Sequence, residues 1–169
     1  MGNRKTDKGS SGGNRLQRLW WLHDALWYQG VARRFGFKAA NELNREVIKP
    51  VARRAMKAVL AGRGLPPKGA LTAEEVLACF QEASELMWPA PMTRWEARLT
   101  GERTIEVTIT KCYALAGLKR LGLAQAYECP CIDVREGWLE ALGIRADQEI
   151  LASMKDGAEA CLIRVWLRS

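Results

Sequence analysis

The sequence predicts an α+β domain, with N-terminal helices packed on an antiparallel sheet of about four strands and a helical insert between strands 2 and 3. Three observations carry this expectation. Up to Trp88 the apolar residues recur at helical spacing; from Arg94 they alternate; and the alternation stops after Cys112, gives way to two short helical stretches, and resumes towards the C-terminus.

The elements follow in order. "LQRLWWLHDALWYQGVARRFG" sets Leu16, Leu19, Trp20, Leu26, Trp27 and Val31 on one helical stripe, and Gly36 ends it. "FKAANELNREVIKPVARRAMKAVLAG" is a second helix, with a stripe running from Phe37 through Leu43, Val51 and Met56 to Val59. Pro50 lies inside it and should kink it, because the proline ring removes one hydrogen bond and crowds the preceding turn. "GRGLPPKG" is a loop. "LTAEEVLACFQEASELMW" opens a third helix with Thr72 three residues before Glu75, the spacing of a capping box, and "PAP" closes it. "RWEARL" and "TIEVTITK" then alternate around a turn near Gly101 and read as an antiparallel hairpin. "ALAGLKRLG" and "DVREGWLEALG" are the insert helices. "EILASM" and "ACLIRVWL" are the last strands, joined through "KDGA", where Asp-Gly is a turn signal.

The chain has 169 residues, enough for one domain with a core that needs no staples. Residues 1–15 are rich in Gly and Ser, carry a net charge of +3 out of the total of +7, and read as a disordered leader or a tag. Residues 16–169 then form a single domain, helical over 16–90 and built on the sheet with its helical insert over 94–169. No apolar run approaches a membrane span. The cysteine count is five, and with no export signal this favours a reducing, cytoplasmic setting over a disulfide framework. The basic charge outside the leader is spread thinly, with Arg33–Arg34 and Arg53–Arg54 on separate helices, which disfavours nucleic acid as a partner. Phosphate loops, dinucleotide fingerprints and serine elbows do not occur.

Chemistry concentrates in "YECPCIDVREGW". Cys129 and Cys131 flank a proline in a loop between elements, where sites are commoner than in cores. Cys112 ends a strand and Cys161 begins the last one, so these thiols are expected at one end of the sheet. A Cys-x-Cys pair is tighter than the usual zinc-ligand spacing. The four cysteines therefore fit a metal quartet, a thiol site or packed thiols, and Cys79, inside the third helix, is assigned to the core. A helix starting at Ile132 or Asp133 would favour a thiolate at Cys131 through its free N–H groups. His23, the only histidine, stands on the stripe of the first helix between Trp20 and Trp27 and is expected to face inward. Trp20, Trp27, Tyr28 and Trp138 are candidates to line a pocket for a flat or apolar molecule, or to be core.

"TKC", "LKRLGL", "CPCIDVREGWLEALGI" and "DGAEACLIRVWL" together resemble the L-2-amino-thiazoline-4-carboxylic acid hydrolase-like family, and "LWYQGVARRFGFKAANELNREV" is similar to its opening helices. The family is itself similar to the 4-vinyl reductase domain and to TRAPP-type subunits, which bind small hydrophobic molecules. The matching positions are Cys112, Cys129, Asp133 and Cys161; the second loop cysteine, Cys131, departs from the family's wider spacing. The resemblance implies a hydrolase of non-peptide C–N bonds in a small cyclic amidine-like or thiazoline-like substrate. Cys129 or Cys131 would be nucleophile or ligand to zinc or another divalent metal, Asp133 would orient water, and His23 would serve as acid. Cys112 and Cys161 would complete a metal set. The alternative is a non-catalytic domain that binds or senses an apolar or aromatic molecule. The expected partner is a small molecule, without a membrane, and a homodimer is left open.

Overall fold

The computed structural model describes residues 9–65, 71–88 and 92–168. Its elements run α1 (Gly9–Arg63), α2 (Ala73–Met87), β1 (Arg94–Gly101), β2 (Thr104–Lys111), α3 (Tyr113–Arg120), α4 (Cys131–Leu142), β3 (Ala146–Ala152) and β4 (Cys161–Leu167). This is the expected α+β order, with α3 and α4 inserted between the second and third strands. Of the segment read as a leader, residues 1–8 lie outside the described part, while 9–15 already belong to α1.

α1 holds both expected N-terminal helices. Gly36 divides them with φ 86° and ψ 163°, a conformation open essentially to glycine because any Cβ would clash there. The kink expected at Pro50 does not break the helix: the backbone leaves helical dihedrals at Gly36 and at no other position within α1. The missing N–H of Pro50 costs a hydrogen bond, but the turns on either side are held by packing, whereas Gly36 is where the chain is freest to depart. α2 starts as the sequence specifies. Thr72 Oγ1 accepts from Glu75 N–H at 3.2 Å, and Glu75 Oε2 accepts from Thr72 N–H at 2.8 Å, so two otherwise orphaned donors are satisfied.

The chain resolves into two compact units, residues 1–42 and 43–169. In the first, Tyr28, Ala32, Ala40 and Asn41 are buried, and the Tyr28 hydroxyl donates to Asn41 Oδ1 at 2.6 Å. The second contains the sheet. Its strand order is β1-β2-β4-β3, with every neighbouring pair antiparallel. Register aligns Trp95 with Ile109 and Ile109 with Cys161, and likewise Leu99 with Ile105 and Ile105 with Val165. Because side chains alternate along a strand, these apolar rows share one face. On the other face Glu106 joins Arg98 at 2.9 Å and Arg164 at 3.2 Å.

The apolar face is covered by the 52–60 stretch of α1 through Ala52, Met56, Val59 and Leu60, by α2 through Val76 and Phe80, and by α4 through Val134, Trp138 and Leu142. α4 approaches α1 closely at Gly137, where an added Cβ would stand 2.4 Å from the Lys49 carbonyl oxygen. Lys49 pairs with Glu140 at 2.7 Å and Glu136 at 3.0 Å beside this crossing. No helix among the described residues is long and apolar enough to cross a membrane.

Candidate ligand site

The site is built at the N-terminal end of α4. Pro130 precedes the helix as its N-cap, and Cys131 is its first residue. A proline suits this position because its fixed φ matches the helix and no N–H is missed at an end that has free donors. Cys131 is thereby placed among the free N–H groups of the first turn, which favour a negative charge. From Cys131, the positions Val134, Arg135 and Trp138 continue along one face of α4 at helical spacing.

That face, α2 and the inner face of the sheet enclose a cavity of about 40 Å³. α2 contributes Phe80 and Ser84, and Trp88 follows as its C-cap; the sheet contributes Trp95, Val107 and Ile109; α4 contributes Cys131, Val134, Arg135 and Trp138. The Trp138 ring lies 5.3 Å from Phe80 and 6.1 Å from Trp88, centre to centre. A larger groove of about 580 Å³ crosses Lys49, Glu136, Glu140 and Asp147. It is open and charged, and Lys49 is already matched by both glutamates there, so it reads as a solvated surface.

Two polar groups in the small cavity are incompletely satisfied. Arg135 is 4% exposed, and its Nε donates to Gln148 Oε1 at 2.8 Å, while its Nη2 has no hydrogen-bond partner. The Nε1 of Trp138 is likewise buried without a partner. Gln148 reaches inward because it aligns with Val165 on the apolar face.

The thiols differ sharply in their chemistry. Cys129 and Cys131 stand 3.1 Å apart, Sγ to Sγ. The hydrogen bond from Cys129, helped by the Arg135 charge, outweighs burial and brings the Cys131 thiol down to about 7. Cys129 gives its proton to that bond and is raised accordingly. Burial pushes Cys112 up to about 11 and also raises Cys161. Burial raises the Tyr127 hydroxyl too, with the neighbouring Cys129 and Cys131 adding to the effect. Cys161 Sγ accepts from the Met154 N–H at 3.3 Å. Cys79 is buried in the core, as expected.

Cys112 thus lies within electrostatic range of Cys129, Cys131 and Cys161, and Cys131 within range of all three others. Among the described residues no group of three His, Cys, Asp or Glu side chains is placed to hold a metal ion. Asp133 sits in the first turn of α4 but does not line the cavity, since two residues along a helix turn a side chain well away from the Cys131 face.

The inward placement expected for His23 is overturned. Its side chain is 62% exposed and lies 3.6 Å from the Asp24 carboxylate, and its ring meets Trp20 edge-on at 5.4 Å. Leu16, Leu19, Trp20, Leu26 and Trp27 are exposed with it. The apolar stripe was read correctly as helical, but the covered face of that helix is the one bearing Tyr28 and Ala32. Of the four aromatic candidates, Trp20 and Trp27 are exposed, Tyr28 is committed to Asn41, and only Trp138 lines the cavity. Arg135, Trp88 and Trp95 were missed. Arg135 had a signal: it is the single charge on the otherwise apolar 131–134–135–138 face of α4.

Compared with known proteins, the chain matches no protein-family model and no curated protein. Its fold is similar to that of solved small α+β proteins. A trafficking protein particle complex subunit 3 from Naegleria fowleri, solved covalently bound to palmitic acid, superposes with a TM-score of 0.52 at 14% identity, over 90% of this chain and 95% of that one. An H-NOX protein from S. oneidensis, solved in an Fe(II)NO state, gives a TM-score of 0.47 at 13% identity, over 84% of this chain and 72% of that one. The first likeness establishes the fold and agrees with the TRAPP side of the resemblance noted in the sequence; the hydrolase family finds no match.

Proposed function

We propose that this protein is a small-molecule binding domain whose ligand enters the cavity between α2, α4 and the sheet. The observation that carries the reading is the convergence of Phe80, Trp88, Trp95 and Trp138 on one cavity closed by Cys131 and Arg135. Sites for small molecules are mostly apolar and aromatic with a few placed polar groups, and this lining has that composition. Trp88 and Trp95 are half-buried and form the mouth, and a ligand larger than the closed volume requires their side chains to part. The similar subunit from Naegleria fowleri carries a fatty acid, which supports an apolar ligand on this fold. Titration with a neutral aromatic probe such as 2-phenylethanol, followed by tryptophan fluorescence, tests the reading. Saturable quenching is expected, and Val134→Phe, which fills the cavity, should abolish it. Equal binding by a folded Val134→Phe protein would sink the assignment.

A thiol hydrolase is a second reading, favoured by one observation: the lowered Cys131 thiol beside the cavity. In it, the Cys131 thiolate adds to an sp² carbon flanked by heteroatoms, the C=N electron pair passes to nitrogen, which takes a proton from Cys129, and water then displaces the thiol as the C–N bond breaks. Asp133 does not line the cavity, so this reading rests on Cys131 and Cys129. This reading requires turnover of a 2-aminothiazoline that stops with Cys131→Ala. Unchanged turnover in that variant, or none in the wild type, removes it.

A further inference from the structure

We propose that the ligand of this cavity is an organic anion, with a carboxylate received by Arg135 and Trp138 and an apolar remainder held at Trp88 and Trp95. The inference rests on the ligand-site reading above and specifies its chemistry.

Arg135 carries a charge in a place that is 4% exposed. Buried guanidinium groups are ordinarily matched by a carboxylate, because removing the ion from water is costly unless an opposite charge compensates. Here the partner of Nε is the neutral amide of Gln148, at 2.8 Å. Cys131 hydrogen-bonds to it and, with Cys129 and Cys161, opposes its charge, but these are weakly acidic thiols rather than a carboxylate. Its Nη2 has no acceptor, and neither has Trp138 Nε1.

The two unmatched donors belong to residues three apart on α4 that line the same cavity. A group that serves both must present two acceptor atoms and negative charge. A carboxylate does so, and its planar pair of oxygens suits the guanidinium fork. The cavity of about 40 Å³ accommodates such a head group, and the remaining lining is largely apolar, which excludes a second charged end. The predicted class is therefore a monocarboxylate with an aromatic ring or short alkyl chain.

The test uses the full chain and two matched probe pairs: phenylacetate against 2-phenylethanol, and hexanoate against hexanol. Binding is followed by tryptophan fluorescence and by the Trp138 indole N–H resonance. Each carboxylate is expected to bind about tenfold or more tightly than its alcohol, and to shift the Trp138 resonance. Arg135→Met, which keeps the apolar volume, should erase the preference for acid over alcohol. Equal binding of acid and alcohol by the wild type overturns the anion inference and leaves the ligand site standing. Failure of all four probes to bind overturns both. Should Arg135→Met not fold, the wild-type comparison and Trp138→Phe, which removes one donor and is expected to narrow the preference for acid over alcohol, still decide the matter.

Discussion

Cys131 shows how much a single position can concentrate. It begins a helix, lies 3.1 Å from a second thiol and has a buried arginine beside it. Each of these favours its anion, and together they outweigh burial. Its thiol is held below the ordinary cysteine range, at about 7, so it contributes stability above the ordinary value and loses that contribution as pH falls through about 7. Alkylation by iodoacetamide should therefore select Cys131 over Cys79, Cys112 and Cys161, with a rate that climbs through pH about 7. In Cys129→Ala the midpoint should move up towards the ordinary value of ~8.5, because the largest stabilising contact is gone. Peptide mass spectrometry across the pH range reads both, and an unmoved midpoint would show that the Cys129 bond is not the cause. His23 teaches the opposite lesson, since its position on an apolar stripe carried no information about what covers that stripe.

At the scale of elements, α4 is fixed from two sides. One face meets the sheet and α2 and carries the cavity. The other meets the later part of α1 at Gly137, where helix backbones approach too closely for a side chain. A Cβ at 2.4 Å from a carbonyl oxygen cannot be accommodated by rotating a side chain, so the helices must separate. Gly137→Ala should lower stability by about 1–3 kcal/mol, despite alanine's better helix propensity, and should loosen the Lys49–Glu136 and Lys49–Glu140 pairs. Urea denaturation measures this. A midpoint at or above that of the wild type would mean that the two helices do not meet as closely as described.

The whole molecule divides its labour unevenly. Every residue of the main core cluster, from Ala52 to Leu167, belongs to the unit formed by residues 43–169. The cavity and all four loop and strand thiols belong to it as well. A fragment comprising 43–169 should accordingly melt as one cooperative transition and keep the near-ultraviolet dichroism of its packed Trp138. A broad, non-cooperative melt would show that the first unit is needed to complete the core. The first unit exposes Leu16, Leu19, Trp20, Leu22, Leu26 and Trp27 along its helix, and an apolar face of that kind is more typical of interaction surfaces than of free ones.

The sequence by itself determined the class of fold, the order of the elements, the break at Gly36, the capping box at Thr72 and the alternation that places one face of each strand in the core. These are local properties: periodicity, a glycine's freedom and a three-residue cap are written within a few residues of one another. It also marked the cysteine loop, because a Pro-flanked pair between elements is visible without coordinates. Only the tertiary structure decided which apolar face of the first helix is covered, and so left His23, Trp20 and Trp27 exposed. It alone brought Trp88 from the C-cap of α2, Trp95 from β1 and Arg135 from α4 to one cavity. It also showed that Cys129 and Cys131 bond to each other and that Cys161 accepts from backbone. Such outcomes depend on contacts between residues tens of positions apart, and the energy of a buried donor or charge is set by what packs around it rather than by its neighbours in the chain.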